Sequence, residues 1–97
     1  MGTPLYMAPE LATGARNATP ASDVFALGIV AYEILVGVRP WDVPPVFEAM
    51  AGRSLTRPVA IRTRAELPVA LAHMLDSCLA ADPSVRPSAA ALAEALA

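Results

Sequence analysis

The sequence predicts a mainly α fold of about five helices packed around one central hydrophobic helix. Three observations carry this. The composition is 56% hydrophobic and only 16% charged, so the chain has apolar material that must be hidden in a core. The run Asp23 to Val36 is apolar on nearly every side, with Glu33 the only charge inside it, which marks a helix with no face suited to water. No stretch alternates apolar and polar residues at the period of a strand.

Taken in order, residues 1 to 8 read as loop. Pro9 fits the first turn of a short helix that Gly14 would end. Thr13 to Ser22 is polar and rich in turn-formers, and two caps are available for the next helix: Thr19, with Pro20 after it, or Ser22. The central helix is expected over 23–36, with Gly37 as the left-handed residue past its end. After Arg39-Pro40-Trp41 and a proline pair, 46–51 reads as a short helix stopped by Gly52, and Ser54 to Glu66 reads as loop. Over 68–79 the residues Leu71, Met74, Leu75, Cys78 and Leu79 recur at i, i+3, i+4, i+7 and i+8, a helical face opposed by His73, Asp76 and Ser77. Asp82-Pro83 and Arg86-Pro87 then break the chain, and Ser88 can cap a last helix over 88–97.

Several function classes are excluded by composition. With 97 residues, the chain accommodates one small domain or a piece of one, not a two-lobed enzyme with a cofactor cleft. The net charge is -2, and all seven basic residues are dispersed arginines, so nucleic-acid binding is not expected. Without lysine there is no GxxxxGK loop and no lysine to hold nucleotide phosphates. The single Cys78 reads as core filler and suits a reducing, cytoplasmic setting. No leader pattern follows Met1, and the Val24 to Val38 run is too short to span a bilayer comfortably. His73 has no neighbouring ligand set, so no metal site is expected.

Three landmarks in order resemble the serine/threonine protein kinase family. Gly2-Thr3-Pro4-Leu5-Tyr6-Met7-Ala8-Pro9-Glu10 is similar to the end of the activation segment with its Ala-Pro-Glu signature. Asp23-Val24-Phe25-Ala26-Leu27-Gly28-Ile29-Val30-Ala31-Tyr32-Glu33, with Gly37 and Pro40-Trp41 beyond, resembles the family's central helix F. Asp82-Pro83-Ser84-Val85-Arg86-Pro87 is similar to the Asp-Pro-x-x-Arg-Pro turn before helix I. Order and spacing together make the resemblance specific, and it covers essentially all of 1–97. It implies a partial kinase-like C-lobe: 1–10 the end of the activation segment, 23–36 helix F, 46–51 helix G, 68–79 helix H and 88–97 helix I. The pattern also resembles bacterial kinases of this type, and a lysine-free, alanine-rich composition suits a high-GC genome.

The resemblance also assigns roles. Gly2, Thr3, Pro4, Leu5 and Tyr6 would face the protein substrate. Glu10 and Arg86 would form a structural ion pair; the bland alternative is two exposed charges. Asp23 would anchor the catalytic loop, or merely favour the helix start through the macrodipole. Val30 and Ile34 would support the family's internal hydrophobic column, or be plain core. Glu33 faces a basic substrate residue or water, with water favoured, and Trp41 reads as core.

Intact kinases use ATP and Mg²⁺ through a glycine-rich loop, a strand lysine, a catalytic aspartate and asparagine, and Asp-Phe-Gly. None of these occurs in the 97 residues, so no cofactor is expected in this chain and it is expected to be inactive by itself. Apolar surface left open on the central helix implies loose packing or self-association. The competing reading is a stand-alone helical interaction module using the surface of the last three helices.

Overall fold

A computed structural model describes residues 4–96. Four α-helices form: α1 (Pro20–Val36), α2 (Pro45–Met50), α3 (Val69–Cys78) and α4 (Ala89–Leu96), with 3-10 turns between them and no strand among the described residues. The expected fifth helix is instead a five-residue 3-10 turn, Pro9–Thr13, held by Leu11 N–H to the Ala8 carbonyl (3.1 Å) and ended at Gly14. Five residues that begin at a proline and run into a glycine at φ 138° are too few to establish an α-helical ladder, and the tighter i to i+3 bond is what fits.

α1 begins three residues earlier than expected. Thr19 is extended, its N–H donates to Ser22 Oγ (3.2 Å), and Pro20 supplies a first helical residue whose missing N–H is no loss. Both candidate caps therefore act at one helix start. The far end matches expectation: Gly37 is left-handed at φ 90°, and its N–H reaches the Glu33 carbonyl at 2.8 Å. α2 and α3 differ from the expected bounds by one residue at either end. Ser88 Oγ accepts the Ala91 N–H (3.0 Å) and so caps α4, as its hydroxyl led one to expect; Ala97 lies outside the described residues.

The core lies on one side of α1. Val24, Phe25, Ile29 and Tyr32 are buried there with Ala72, Leu75, Cys78 and Leu79 from the α3 region and Leu92 from α4. At Gly28 the backbones of α1 and α3 approach closely: a Cβ built on it would sit 2.7 Å from the Cys78 Cβ. The opposite side of α1 is open, with Leu27 (51% exposed), Val30 (38%) and Ile34 (76%) at successive helical turns. α2 packs on the Pro9–Thr13 turn through buried Pro45 and Val46.

The segment between Ser54 and Glu66 is irregular but tied down. Trp41 Nε1 donates to the Thr56 carbonyl (2.8 Å), Tyr32 Oη to the Val59 carbonyl (2.7 Å), and the Ile61 N–H to Asp76 Oδ1 (2.9 Å), while the Ile61 side chain is fully buried. No helix of the described residues is long and apolar enough to cross a membrane.

Candidate functional site

The site is built from the turn that precedes α4. Asp82 Oδ1 accepts both the N–H (2.9 Å) and the hydroxyl (2.7 Å) of Ser84, which fixes the Pro83–Val85 turn. These bonds hold the Asp82 carboxyl below its ordinary value. Arg86 then leaves the turn in extended conformation and sends a side chain with no solvent exposure into the molecule.

Every N–H of that guanidinium is engaged. Nη1 donates to Glu10 Oε2 (2.8 Å) and Nη2 to Glu10 Oε1 (2.9 Å), a two-pronged ion pair across 76 positions of sequence. The remaining donors go to carbonyls: Nε to Ala80 (2.9 Å), Nη1 to Ala21 (3.0 Å) and Nη2 to Ala81 (3.4 Å). The Phe25 ring lies beneath, 4.7 Å from the guanidinium carbon, adding a cation–π contact. Ser22 Oγ donates to Glu10 Oε2 (2.7 Å). Partial burial works to raise the Glu10 carboxyl, but the hydrogen bonds from Arg86 and Ser22 outweigh it and hold the carboxyl below its ordinary value. One buried cation thus joins the Pro9–Thr13 turn, the start of α1 and the turn before α4.

The other residues singled out in the sequence fall around this clamp. Pro4, Leu5 and Tyr6 form a 3-10 turn over the far end of α1; Gly2 and Thr3 lie outside the described residues. Tyr6 Oη donates to Glu33 Oε2 (3.2 Å), so Glu33 has a protein partner rather than water alone. The Glu33 charge, and then its hydrogen bond, push the Tyr6 phenol up. Leu5 sits with Ile29, Pro40 and Trp41 around a shallow apolar dent. Trp41 stacks on Phe25 with centroids 5.6 Å apart.

Asp23 is exposed in the first turn of α1, and Val30 and Ile34 follow on the same open side, so plain core packing does not describe them. His73 is exposed, and no group of side chains among the described residues is arranged to hold a metal. Not foreseeable from the motifs are Ser22 and the Ala21, Ala80 and Ala81 carbonyls as partners of the clamp. Ser22 carried a signal, since it stands one residue before the Asp23 landmark. Backbone carbonyls carry none.

A helical body of this kind, with a Pro-Leu-Tyr-Met-Ala-Pro-Glu segment clamped through its glutamate to an Asp-Pro-x-x-Arg turn, has the architecture of the helical lobe of a phosphotransferase. The profile of the protein kinase domain matches residues 1–96, and the chain belongs to that family. It is 37% identical over 99 residues to the serine/threonine-protein kinase SSK22 of Saccharomyces cerevisiae, a match covering 95% of this chain and 7% of the yeast protein. Against the serine/threonine-protein kinase PkaA of Streptomyces coelicolor the identity is 36% over 96 residues, covering 99% of this chain and 17% of that protein. A shorter match, 56% identical over 41 residues, joins 42% of this chain to the serine/threonine-protein kinase PknA of Mycobacterium tuberculosis. The chain therefore spans a small part of the length of each of these relatives.

Proposed function

We infer that these residues are the substrate-facing helical portion of a serine/threonine protein kinase, which with ATP and Mg²⁺ phosphorylates serine or threonine in proteins. The observation that carries this is the Glu10–Arg86 clamp, which brings the Ala-Pro-Glu segment, the head of α1 and the Asp-Pro-x-x-Arg turn to one point. On this reading Gly2 to Tyr6 meet the substrate chain. Asp23 anchors the catalytic loop and Val30 and Ile34 support the internal hydrophobic column. The exposure of all three on one side of α1 is compatible with a face that other parts of a kinase domain cover. α1 to α4 are then helices F, G, H and I. The single buried Cys78 and the dispersed lysine-free charge support the reading of a bacterial, cytoplasmic protein.

The 97 residues by themselves do not transfer phosphate, because phosphoryl transfer is positioning and charge stabilisation by phosphate and metal ligands that they do not contain. The check is an assay of the purified chain with radiolabelled ATP, Mg²⁺ and a general protein acceptor. No incorporation is expected, and incorporation above a boiled control would overturn the claim. Whether the chain is part of a complete kinase domain is tested by reading the coding DNA upstream of Met1, where His-Arg-Asp and Asp-Phe-Gly motifs are expected and unrelated sequence would favour a stand-alone helical interaction module.

The open side of α1 supports association of the isolated chain with itself. Besides Leu27, Val30 and Ile34, the end of α1 and the turn after it expose Leu35 and Val38. Light scattering should give a mass above the monomer, with strong binding of a hydrophobic dye, and Leu27→Gln with Ile34→Gln should reduce both while helical circular dichroism persists. A monomer that unfolds sharply and binds no dye is the outcome that rejects this.

A further inference from the structure

The buried clamp hangs on a turn whose own fixing bonds are open to water. Among the described residues two serine hydroxyls donate to a carboxylate: Ser22 to Glu10 Oε2 (2.7 Å) and Ser84 to Asp82 Oδ1 (2.7 Å). Ser22 is buried, whereas Ser84 and Asp82 are both exposed. Ser84 is thus the accessible hydroxyl at which an added negative charge would meet a carboxylate that shapes the fold.

The Asp82–Ser84 pair decides how the next residues run. Asp82 Oδ1 also accepts the Ser84 N–H (2.9 Å), the Val85 N–H meets the Asp82 carbonyl (3.1 Å), and the Arg86 N–H meets the Pro83 carbonyl (3.3 Å). The chain leaves this turn extended at Arg86, and the guanidinium folds back on the same segment. Its Nε donates to the Ala80 carbonyl (2.9 Å) and Nη2 to the Ala81 carbonyl (3.4 Å), while Nη1 and Nη2 also hold Glu10. Residues 80–86 therefore form a loop closed on its outer side by Asp82 and Ser84 and on its inner side by Arg86. Opening the outer side removes the support that aims the inner one.

A phosphoryl group on Ser84 opens it by charge. Forming the ester joins Ser84 Oγ to the terminal phosphorus of a nucleoside triphosphate, breaks the bond from that phosphorus to the departing diphosphate, and releases the hydroxyl proton to water. The group brings a charge of about −1.5 to −2 near neutral pH and replaces the donating hydroxyl with acceptor oxygens. It faces Asp82, whose carboxyl the bonds from the Ser84 side chain and then its backbone hold below the ordinary value, so that Asp82 is ionised. Repulsion then adds to the loss of the hydroxyl bond.

We propose that Ser84 is a charge-controlled release for the clamp: phosphorylation of its hydroxyl loosens the Asp82 to Arg86 turn and with it the Arg86–Glu10 pair. This rests on the clamp itself and not on the kinase reading, so it stands or falls separately from that reading.

The test uses the full chain assembled with phosphoserine at position 84, and nuclear magnetic resonance follows hydrogen exchange of the Arg86 Nε proton relative to the unmodified chain. Phosphoserine at 84 is expected to speed exchange about tenfold, and Ser84→Ala, which loses the hydroxyl bond without adding charge, about threefold. High salt should narrow the gap between the two, and in an Asp82→Asn background phosphorylation should have no more effect than Ser84→Ala. Phosphoserine at exposed Ser54, which donates to no carboxylate, should leave exchange unchanged. Urea midpoints should fall in the same order. Equal effects of phosphoserine and alanine at 84, an equal effect at 54, or persistence of the phosphoserine effect with Asp82→Asn would each overturn the proposal. So would slower exchange, the result expected if Arg57 or Arg62, which line a groove with Asp82 and Val85, captured the phosphate instead.

Discussion

Glu10→Ala is expected to destabilise the fold by about 3–5 kcal/mol, because it strands a cation that has no exposure to water. Arg86 would keep its bonds to the Ala80, Ala21 and Ala81 carbonyls and its contact with Phe25, yet none of these neutralises its charge. Arg86→Met sits at the lower end of the same range. It removes the cation but leaves Glu10, 18% exposed, able to reach solvent, and it leaves the three carbonyls without a donor. The double variant should recover part of the loss, since a buried pair replaced by apolar side chains of similar volume is often neutral. Urea denaturation followed by circular dichroism measures all three. Singles costing under about 1 kcal/mol, in the range of exposed pairs, would show that the clamp is not a tie between segments.

The clamp also sets a direction with pH. The folded-state carboxyl of Glu10 lies below its ordinary value of 4.5, so the protonated form is favoured by the unfolded chain. The stabilisation is present in full above that ordinary value and is lost as pH falls through the lower, folded-state value. Stability should therefore drop on acidification below about pH 4.5, and Glu10→Gln, which cannot titrate, should show a shallower drop. Parallel acid profiles for the two proteins would assign the acid sensitivity to other groups.

What could be read along the chain was whatever leaves a local pattern. α3 announced itself by apolar spacing, the end of α1 by Gly37, and the start of α4 by Ser88. For the start of α1 the sequence offers two caps, Thr19 with Pro20 after it and Ser22, and the structure begins the helix at Pro20 with both residues taking part. Which side of α1 is buried could not be read at all: a run apolar on every side has no preferred direction, and the choice is made by α3 and α4 approaching through Gly28 and Phe25. Glu10 and Arg86 were legible only through the motifs that contain them, since nothing local links residues 76 positions apart. The ties from Tyr32, Trp41 and Asp76 to the 56–61 segment were invisible, because backbone carbonyls and amides have no signature in side-chain sequence.

The contact at Gly28 yields the second large effect. Gly28→Ala is expected to destabilise the fold by about 1–3 kcal/mol despite alanine's better helix propensity, because overpacking at a tight contact forces the elements apart. The added carbon would lie 2.7 Å from the Cys78 Cβ and 3.0 Å from Leu79 Cδ2. The leucine tip can rotate away, but the Cys78 Cβ is fixed to the backbone of α3, so relief requires the two helices to separate. Gly28→Val adds a branched side chain in the same place and should cost more. The discriminating control is at Cys78, a buried thiol that burial pushes up to about 11 and whose sulfur serves as filler. Cys78→Ala keeps the offending Cβ and should not rescue Gly28→Ala, whereas Cys78→Gly moves the missing carbon to the other helix and should recover part of the loss, less about 1 kcal/mol for glycine within α3. Equal behaviour of the alanine and glycine partners in a double-mutant cycle would mean that the cost of Gly28→Ala arises somewhere other than this Cβ to Cβ approach.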